Sequence, residues 1–553
     1  MRNIPRVVGI NRTQDASICL IEGSEIVWSL QKERITRRKN DWGAIGDLTQ
    51  LYAPTLPELS ESIDLVVEGF SSDAQVLHVR QYEDELYSRI RFRDQHHVVQ
   101  ISHHLSHLYS AFFTSPFDEA AVLIIDFQGS PVKDITESFP CSNQEYPESL
   151  EVTSLYSVSR HGVVSCLRKQ LWNRDRSRPV GLGQFYQFLS QAIFPGQGSE
   201  GKVMGLAPYG HVGQLGLPPL QVEGWNVTIP NEWLRVFRSM EFRFSKKDFW
   251  QSACLAAEGQ AAFEAAFLRL LTCLRDISGM NSVCIAGGCA LNCVANGSLL
   301  RKGIFKEVFV PPAPHDGGTA LGAALYGLRE TLKIPIRIRW NKDYLGPKYD
   351  GASIRAALAM IDNKKVDVEL PSVFSERVAD LLINQQVVAI FQGCSESGPR
   401  ALGNRSILAD PRQPWMRQYI NLHVKNREEF QPFAPVVCEE AASTYFDISV
   451  PSPFMQFVVP VRERYRRVLG ATTHVDGTAR VQTLSRTQNS LLYEILQAFE
   501  VKAGIGVLLN TSFNRQDEPI VETPGQAIDC FLNTKISALA MPPYILTKRD
   551  KGC

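Results

Sequence analysis

The first thirty residues alternate between apolar runs and polar turns. "RVVGI" leads into the polar turn "NRTQD". "ASICLIEG" and "EIVWSLQKE" follow, joined through a Gly-Ser hairpin, so the start reads as strand, turn, and a hairpin of two strands. The same order recurs from residue 119: "EAAVLIIDF", the turn "QGS", then the hairpin-like pair "TSLYSVSR" and "GVVSCLRK". Two β-turn-β-β units, each opening on a polar or acidic turn, predict an internal duplication. Between them and the next strand, residues 257–278 ("AEGQAAFEAAFLRLLTCLRDIS") carry the period of a long amphipathic helix.

Two further segments share one logic. "SVCIAGGCALNCVANGSLL" reads as a buried strand, a turn at Gly287 and Gly288, and a helix. "VFVPPAPHDGGTALGAALYGL" repeats it with Gly317 and Gly318. Backbone N–H groups at such helix starts favour phosphate or ribose oxygens, while glycine equally serves close packing or a tight turn. The duplicated rhythm is the arrangement of actin-like ATPase domains, whose two turns face a phosphate cleft. A shift in composition over 334–352 marks a domain boundary, placed between 345 and 346. Beyond it, "VVAIFQGCSESGPRALGNRSILADPR" is an apolar strand feeding a glycine- and arginine-rich loop. "THVDGTARVQTL" has the form of a hairpin with Asp476-Gly477 at its turn. "IGVLLNTSFN" is a strand that delivers Asn510, Thr511, Ser512 and Asn514 into a loop.

Charge narrows the function classes. The 553 residues carry 58 basic and 58 acidic side chains, which argues against a broad nucleic-acid or membrane footprint. No run reaches the ~18 apolar residues of a membrane span, and the start has a strand pattern rather than that of a secretory signal. The twelve cysteines include no C-x-x-C pair. Cys284, Cys289 and Cys293 read as reduced core thiols, and a cytoplasmic setting follows. The basic run 31–41 reads as a solvated helix or strand end, and 200–210 ("EGKVMGLAPYG") as a glycine-bounded loop around Lys202.

The candidate chemistry starts with His103 and His107 in "ISHHLSHLYSAFF". Four apart, they leave one face of a helix together, with His104 leaving the register open. Asp126 ends an apolar strand, and Asp316 precedes a Gly-Gly turn. Two imidazoles and two carboxylates suit iron, manganese or zinc better than calcium. In the second part, Arg400, Arg405 and Arg412 among glycines fit a bidentate oxyanion site, which Lys425, Arg480 and Ser512 could complete from other segments.

These residues carry a resemblance. "HHLSHLYSAFFTSPFDEAAVLIID", "EGKVMGLAPYG", "GGCALNC", "PPAPHDGGTALGAAL", "GPRALGNRSILADPR", "NREEFQPFAPVV", "HVDGTARVQT" and "NTSFN" span nearly the whole chain. Together they resemble the O-carbamoyltransferases of the nodulation and cephem type, the family that includes the tobramycin carbamoyltransferase. The resemblance implies an α/β protein of two domains. Residues 1–345 would form an actin-like, threonylcarbamoyl-transferase-like domain with duplicated β-rich halves and a metal site. Residues 346–553 would form a YrdC-like α/β domain that makes carbamoyl-adenylate from carbamoyl phosphate and ATP, with Mg accompanying the ATP. The carbamoyl group would then pass to a hydroxyl of a small natural product, as in antibiotic or other secondary-metabolite biosynthesis.

Residue by residue, the resemblance makes His103, His107, Asp126 and Asp316 ligands of a divalent metal, iron first. It places Gly287, Gly288, Asn292, Gly317 and Gly318 around the adenylate. Arg400, Arg405, Lys425, Arg480 and Ser512 would grip carbamoyl phosphate and the ATP phosphates, with Arg400 and Arg480 counted as catalytic. The chain departs from the family pattern in its first turn, where a His-Asp pair reads Gln14-Asp15. It departs again in the second, where "D-G-x-G-E" reads "DFQGS" with Phe127 and Ser130. Glutamine cannot act as a base, so Asp15 is the candidate base or acceptor-orienting group, and an unusual acceptor is expected. The alternative is a degenerate scaffold that binds metal and nucleotide without transfer.

Overall fold

The structure is a computed structural model and describes residues 4–70, 79–93, 98–140, 146–196, 198–361 and 365–549. It divides into two compact units, 1–36 with 40–340, and 37–39 with 341–553.

The first unit holds two five-stranded sheets. One is built from β1 (Arg6–Asn11), β2 (Ser17–Glu22), β3 (Glu25–Gln31), β4 (Leu65–Phe70) and β5 (Val98–Ser102). Its order is β3-β2-β1-β4-β5, antiparallel from β3 to β1 and parallel from β1 to β5. Helix α1 (His103–Phe112) follows β5 directly. The second sheet uses β6 (Ala120–Ile125), β7 (Leu150–Val158), β8 (Val164–Trp172), β9 (Ser282–Ala286) and β10 (Glu307–Phe309). Its order, read from the other edge, is β8-β7-β6-β9-β10, again antiparallel on one side of β6 and parallel on the other. One topology occurring twice is the duplication that the hydrophobic pattern predicts. β6, paired on both sides and buried at all six positions, reads as a continuous apolar run for that reason.

Helix α2 (Phe249–Ser278) begins eight residues before the predicted one and ends on Gly279 in the left-handed region. Helices α3 (Cys293–Lys302) and α4 (Thr319–Tyr326) follow the two Gly-Gly turns. All ten residues of α1 are buried. It is flanked by α4, where a Cβ on Gly322 would stand 1.8 Å from the carbonyl oxygen of Ser106. Only glycine lets the two backbones approach that closely.

Three expectations are corrected here. The basic run 31–41 is not simply a solvated end: it forms a short helix, Lys32–Thr36, in which Lys32 and Arg34 are buried. Lys32 Nζ lies 2.9 Å from Asp47 Oδ2, a partner the run itself does not contain. Residues Glu200–Leu206 are helical rather than a loop, continued by a 3-10 turn over Ala207–Tyr209. The Asp476-Gly477 turn exists, with Gly477 N–H donating to the His474 carbonyl, yet it closes no hairpin. The strand after it, Thr478–Arg480, pairs instead with Val458–Pro460.

The second unit is built on an eight-stranded mixed sheet. Its strands are β11 (Val366–Glu369), β12 (Val388–Phe391), β13 (Arg405–Ala409), β14 (Ala434–Cys438), β15 (Gln482–Leu484), β16 (Val507–Ser512), β17 (Ala538–Met541) and β18 (Tyr544–Lys548). They run in the order β11-β18-β17-β12-β13-β16-β14-β15. The loop between β12 and β13 is the glycine- and arginine-rich segment. Both units are thus mixed α/β. Among the described residues no helix is long and apolar enough to cross a membrane. Ten cysteines are free thiols; Cys141 and Cys553 lie outside the described residues.

Candidate functional site

In the first unit, helix α1 starts where β5 ends, so its first turn points its N–H groups at the mouth of the sheet. The His103 N–H donates to Ser130 Oγ at 2.9 Å, and the His104 N–H to Glu151 Oε1 at 3.0 Å. Those two acceptors, from the turn after β6 and from β7, satisfy donors that a helix start leaves open. The histidines therefore project from an anchored first turn. His104 points elsewhere: its Nδ1 meets Ser154 Oγ at 2.7 Å, which resolves the register in favour of His103 and His107.

One ligand atom from each of His103, His107, Asp126 and Asp316 falls within 4.8 Å of the others. The two ring Nε2 atoms are 3.1 Å apart. Asp126 Oδ2 lies 3.1 Å from His107 Nε2 and 3.6 Å from His103 Nε2. Asp316 Oδ1 lies 3.3 Å from His103 Nε2 and 3.4 Å from His107 Nε2. Two imidazole nitrogens at such range repel unless a positive charge, proton or metal ion, stands with them. Burial opposes charging His103, but the carboxylates of Asp316 and Asp126 outweigh it and raise its pKa well above the usual value. Burial alone would raise Asp316; His103 instead holds it down at about 2. Asp126 Oδ2 is buried without a well-formed hydrogen bond. A divalent cation would satisfy all four atoms at once, so the donor set fits one.

Around this cluster the two polar turns differ. Asp15 is buried in the left-handed region, at φ +53°. Its Oδ1 accepts from Asn40 Nδ2 at 2.8 Å, and its Oδ2 lies 4.0 Å from His315 Nε2. Burial pushes its pKa up to about 6, with His315 opposing. Sequence reading passed over His315, although it adjoins Asp316, and Thr13, whose Oγ1 lies 3.0 Å from Asp316 Oδ2. Ser130 is fully buried and caps α1, which accounts for a serine there. Phe127 rests edge-on against Trp172 and Phe188.

The glycine turns sort by cause. Gly287 has φ +87°, and a Cβ there would stand 2.2 Å from the Ile125 carbonyl oxygen. Gly318 would meet the Ala313 carbonyl at 2.1 Å, and Gly317 the Gln31 side chain at 2.4 Å. Backbone packing therefore requires Gly287 and Gly318, whereas Gly317 faces the end of a flexible side chain. Gly288 is the least crowded of the four; a Cβ there would stand 3.3 Å from Asp126 Oδ1, a tight contact with a side-chain oxygen. Asn292 caps α3 and exchanges two amide hydrogen bonds of 3.1 Å with Gln260, so its side chain is already engaged.

In the second unit, Lys425 is buried and its Nζ donates to Asn514 Oδ1 at 2.7 Å and Ser512 Oγ at 3.1 Å. Burial, then Arg427, lowers its pKa well below the usual value. Burial and Arg480 bring Arg427 down to about 10. His474 is held at about 4 by burial and by Arg480 and Arg417, against Asp476. Lys425, Arg427 and Arg480 thus bring positive charge together, offset in part by Glu428 and Asp476, beside a His474 held neutral, and an anion there would relieve it. Arg427 and His474 were missed in the sequence, although both lie inside quoted motifs. Arg400 is half-buried in the β12–β13 loop. Arg405 departs from expectation. It is fully buried, stacked on Phe391 at 3.8 Å, and its terminal nitrogens donate to the carbonyls of Gln392 at 2.6 Å and Gly393 at 3.1 Å. It shapes the loop rather than presenting a free fork to a phosphate.

Residues 49–325 match the model of the carbamoyltransferase N-terminus, and residues 379–548 that of the carbamoyltransferase C-terminus. The nodulation protein NolNO of Sinorhizobium fredii is 37% identical over 472 residues, covering 82% of this chain and 65% of that protein. NolO of Bradyrhizobium diazoefficiens is 36% identical over 459 residues, covering 81% of this chain and 79% of that protein. Among solved structures, the activator of the 2-hydroxyisocaproyl-CoA dehydratase from Clostridium difficile aligns at 13% identity and a TM-score of 0.35, over 59% of this chain and 96% of that one.

Proposed function

The chain belongs to the carbamoyltransferase family of enzymes, and from that premise we propose that it is an ATP-dependent O-carbamoyltransferase acting on a hydroxyl of a small natural product. We read the first unit as the actin-like transfer domain and the second as a YrdC-like domain that forms carbamoyl-adenylate. The observation that carries this reading is the convergence of His103, His107, Asp126 and Asp316 within 4.8 Å.

In the first half-reaction, water releases carbamate and phosphate from carbamoyl phosphate. The carbamate oxygen then attacks the α-phosphorus of ATP, and pyrophosphate leaves. Several negative charges must meet, and fixed cations stabilise that encounter. Lys425, Arg427 and Arg480 supply them, with Ser512 as a hydroxyl partner and Arg400 on the adjoining loop. Burial that makes these cations costly while empty makes their pairing with an anion favourable.

In the second half-reaction, the acceptor oxygen attacks the carbamoyl carbon and AMP leaves. Asp15, with a pKa of about 6, is poised to take the hydroxyl proton near neutrality. Asn40 orients its carboxylate by donating to Oδ1. His103, His107, Asp126 and Asp316 would hold a divalent ion, iron, manganese or zinc. Such an ion supplies Lewis acidity toward the charge on the leaving adenylate. Gly288, without a side chain, is where the nucleotide would approach on that side.

The test is pyrophosphate release from ATP without acceptor, with and without carbamoyl phosphate, in wild type and Arg480→Ala. Release that depends on carbamoyl phosphate and is lost in the variant supports the adenylate-forming step. Release that ignores carbamoyl phosphate in a folded protein would overturn it. Asp15→Asn should keep this release and lose carbamoyl transfer to hydroxyl acceptors.

A further inference from the structure

Each aspartate of the four-ligand cluster uses its two oxygens differently. Asp126 turns Oδ1 to the N–H of Phe127 at 2.8 Å and Oδ2 to the histidines. Asp316 turns Oδ1 to the histidines, and its Oδ2 lies 3.0 Å from Thr13 Oγ1. Each carboxylate thus has one oxygen facing the imidazoles and one restrained by the chain.

The Thr13 hydroxyl has a single proton and three acceptors in range. Besides Asp316 Oδ2 these are Asn11 Oδ1 at 2.8 Å and the Gln14 carbonyl at 3.4 Å. Asn11 Oδ1 already accepts the Thr13 N–H at 3.0 Å. The charged carboxylate is the stronger acceptor, so the proton goes to Asp316. Asn11 is itself buried and fixed. Its Nδ2 lies 3.1 Å from the Asp316 carbonyl, 3.2 Å from that of Gln14 and 3.3 Å from that of Asp15. Asn11 at the end of β1 therefore holds the backbone of Asp316, and Thr13 in the turn after it holds the carboxylate, 303 positions away.

We propose that Thr13 is a positioning residue for the metal centre. Its hydroxyl restrains Asp316 Oδ2, so Asp316 offers a single oxygen to a divalent ion. The inference rests on the metal reading above and adds to it what limits the ligand count. A ligand's hydrogen-bonded partner commonly affects metal affinity by about 10–100-fold.

The experiment titrates the full-length apo protein with Co(II). It follows the visible absorption of the bound ion and measures affinity by competition with a chromophoric chelator. Thr13→Val keeps the shape and removes the hydroxyl; Thr13→Ser keeps the hydroxyl. In Thr13→Val the affinity should fall about tenfold or more and the absorption band should change in shape, because Oδ2 is released. Thr13→Ser should restore the wild-type band and an affinity close to wild type. Thermal melting of the apo proteins checks that both variants are folded. Wild-type affinity and an unchanged band in folded Thr13→Val would overturn the role of Thr13 while leaving the metal reading intact. No Co(II) binding by the wild type would overturn both.

Discussion

Glu151 Oε1 accepts the backbone N–H of His104 at 3.0 Å, and so ties β7 to the first turn of the helix that carries His103 and His107. The same carboxylate lies 2.6 Å from Lys169 Nζ through Oε2. Both side chains are fully buried, and Lys169 also meets Glu137 at 2.8 Å. Burial opposes the charge on Lys169, but Glu137 and Glu151 hold its pKa well above the usual value.

Breaking this network from one side should cost more than removing the pair. Lys169→Met leaves the buried carboxylate of Glu151 and the partly buried one of Glu137 without their cation, at about 3–5 kcal/mol. Glu151→Gln in the same chain removes one of the stranded charges and should recover part of that loss. Urea unfolding of the wild type, the single variant and the double variant measures it. A double variant less stable than Lys169→Met would show that Glu151 acts as a cap and not as the partner of Lys169.

Gly287 and Gly288 should separate cleanly. Gly287→Ala drives a Cβ into the Ile125 carbonyl at positive φ, costing roughly 2–5 kcal/mol in strain and overpacking. Gly288→Ala meets only the end of the Asp126 side chain, at 3.3 Å, and should stay within about 1 kcal/mol of wild type, while ATP affinity falls because the added methyl narrows the approach. Thermal melting and nucleotide titration of both variants check this. Equal destabilisation would contradict the packing argument.

What was legible in the sequence follows from range. The strands of the two repeated units, the Gly-Gly turns and the i, i+4 spacing of His103 and His107 are local patterns, and period and spacing reveal them, whereas the approach of Asp126 and Asp316 to that pair depends on the fold. β4 and β5 went unnoticed because they pair only with strands far away in the chain. The burial of Lys32, the contact of Thr13 with Asp316 and the seat of Arg405 depend on partners supplied by other segments. No window of sequence contains them. Arg405 is the sharpest case. Its motif promised an anion, yet its two terminal nitrogens donate to the carbonyl oxygens of Gln392 and Gly393.

Metal removal should lower stability in proportion to ion binding. With an ion at about 100 times its dissociation constant, the linkage is worth about 2.7 kcal/mol. Dialysis against EDTA should therefore lower Tm by several degrees, and Fe(II), Mn(II) or Zn(II) should restore it. In His107→Ala neither treatment should move Tm. A wild-type Tm indifferent to chelator and to all three ions would sink the metal reading.

Asp343, in the second unit, makes its own pH dependence. It is 1% exposed and accepts the Gly398 N–H at 2.7 Å along with the Ser397 hydroxyl. Burial nevertheless wins over those hydrogen bonds and raises its pKa from 3.8 to about 6. A carboxyl whose pKa is higher in the folded state binds its proton more tightly there. Its contribution to stability is therefore full below about pH 4 and is lost as pH rises through about 6, amounting to about 3 kcal/mol. Asp343→Asn cannot titrate. The stability of wild type minus that of the variant should fall by about that amount between pH 4 and pH 7, and taking the difference cancels the other titrating groups. Denaturant unfolding across that range measures it. A difference that stays flat, or rises with pH, would mean that the hydrogen bonds from Ser397 and Gly398 outweigh burial and hold the carboxylate charged.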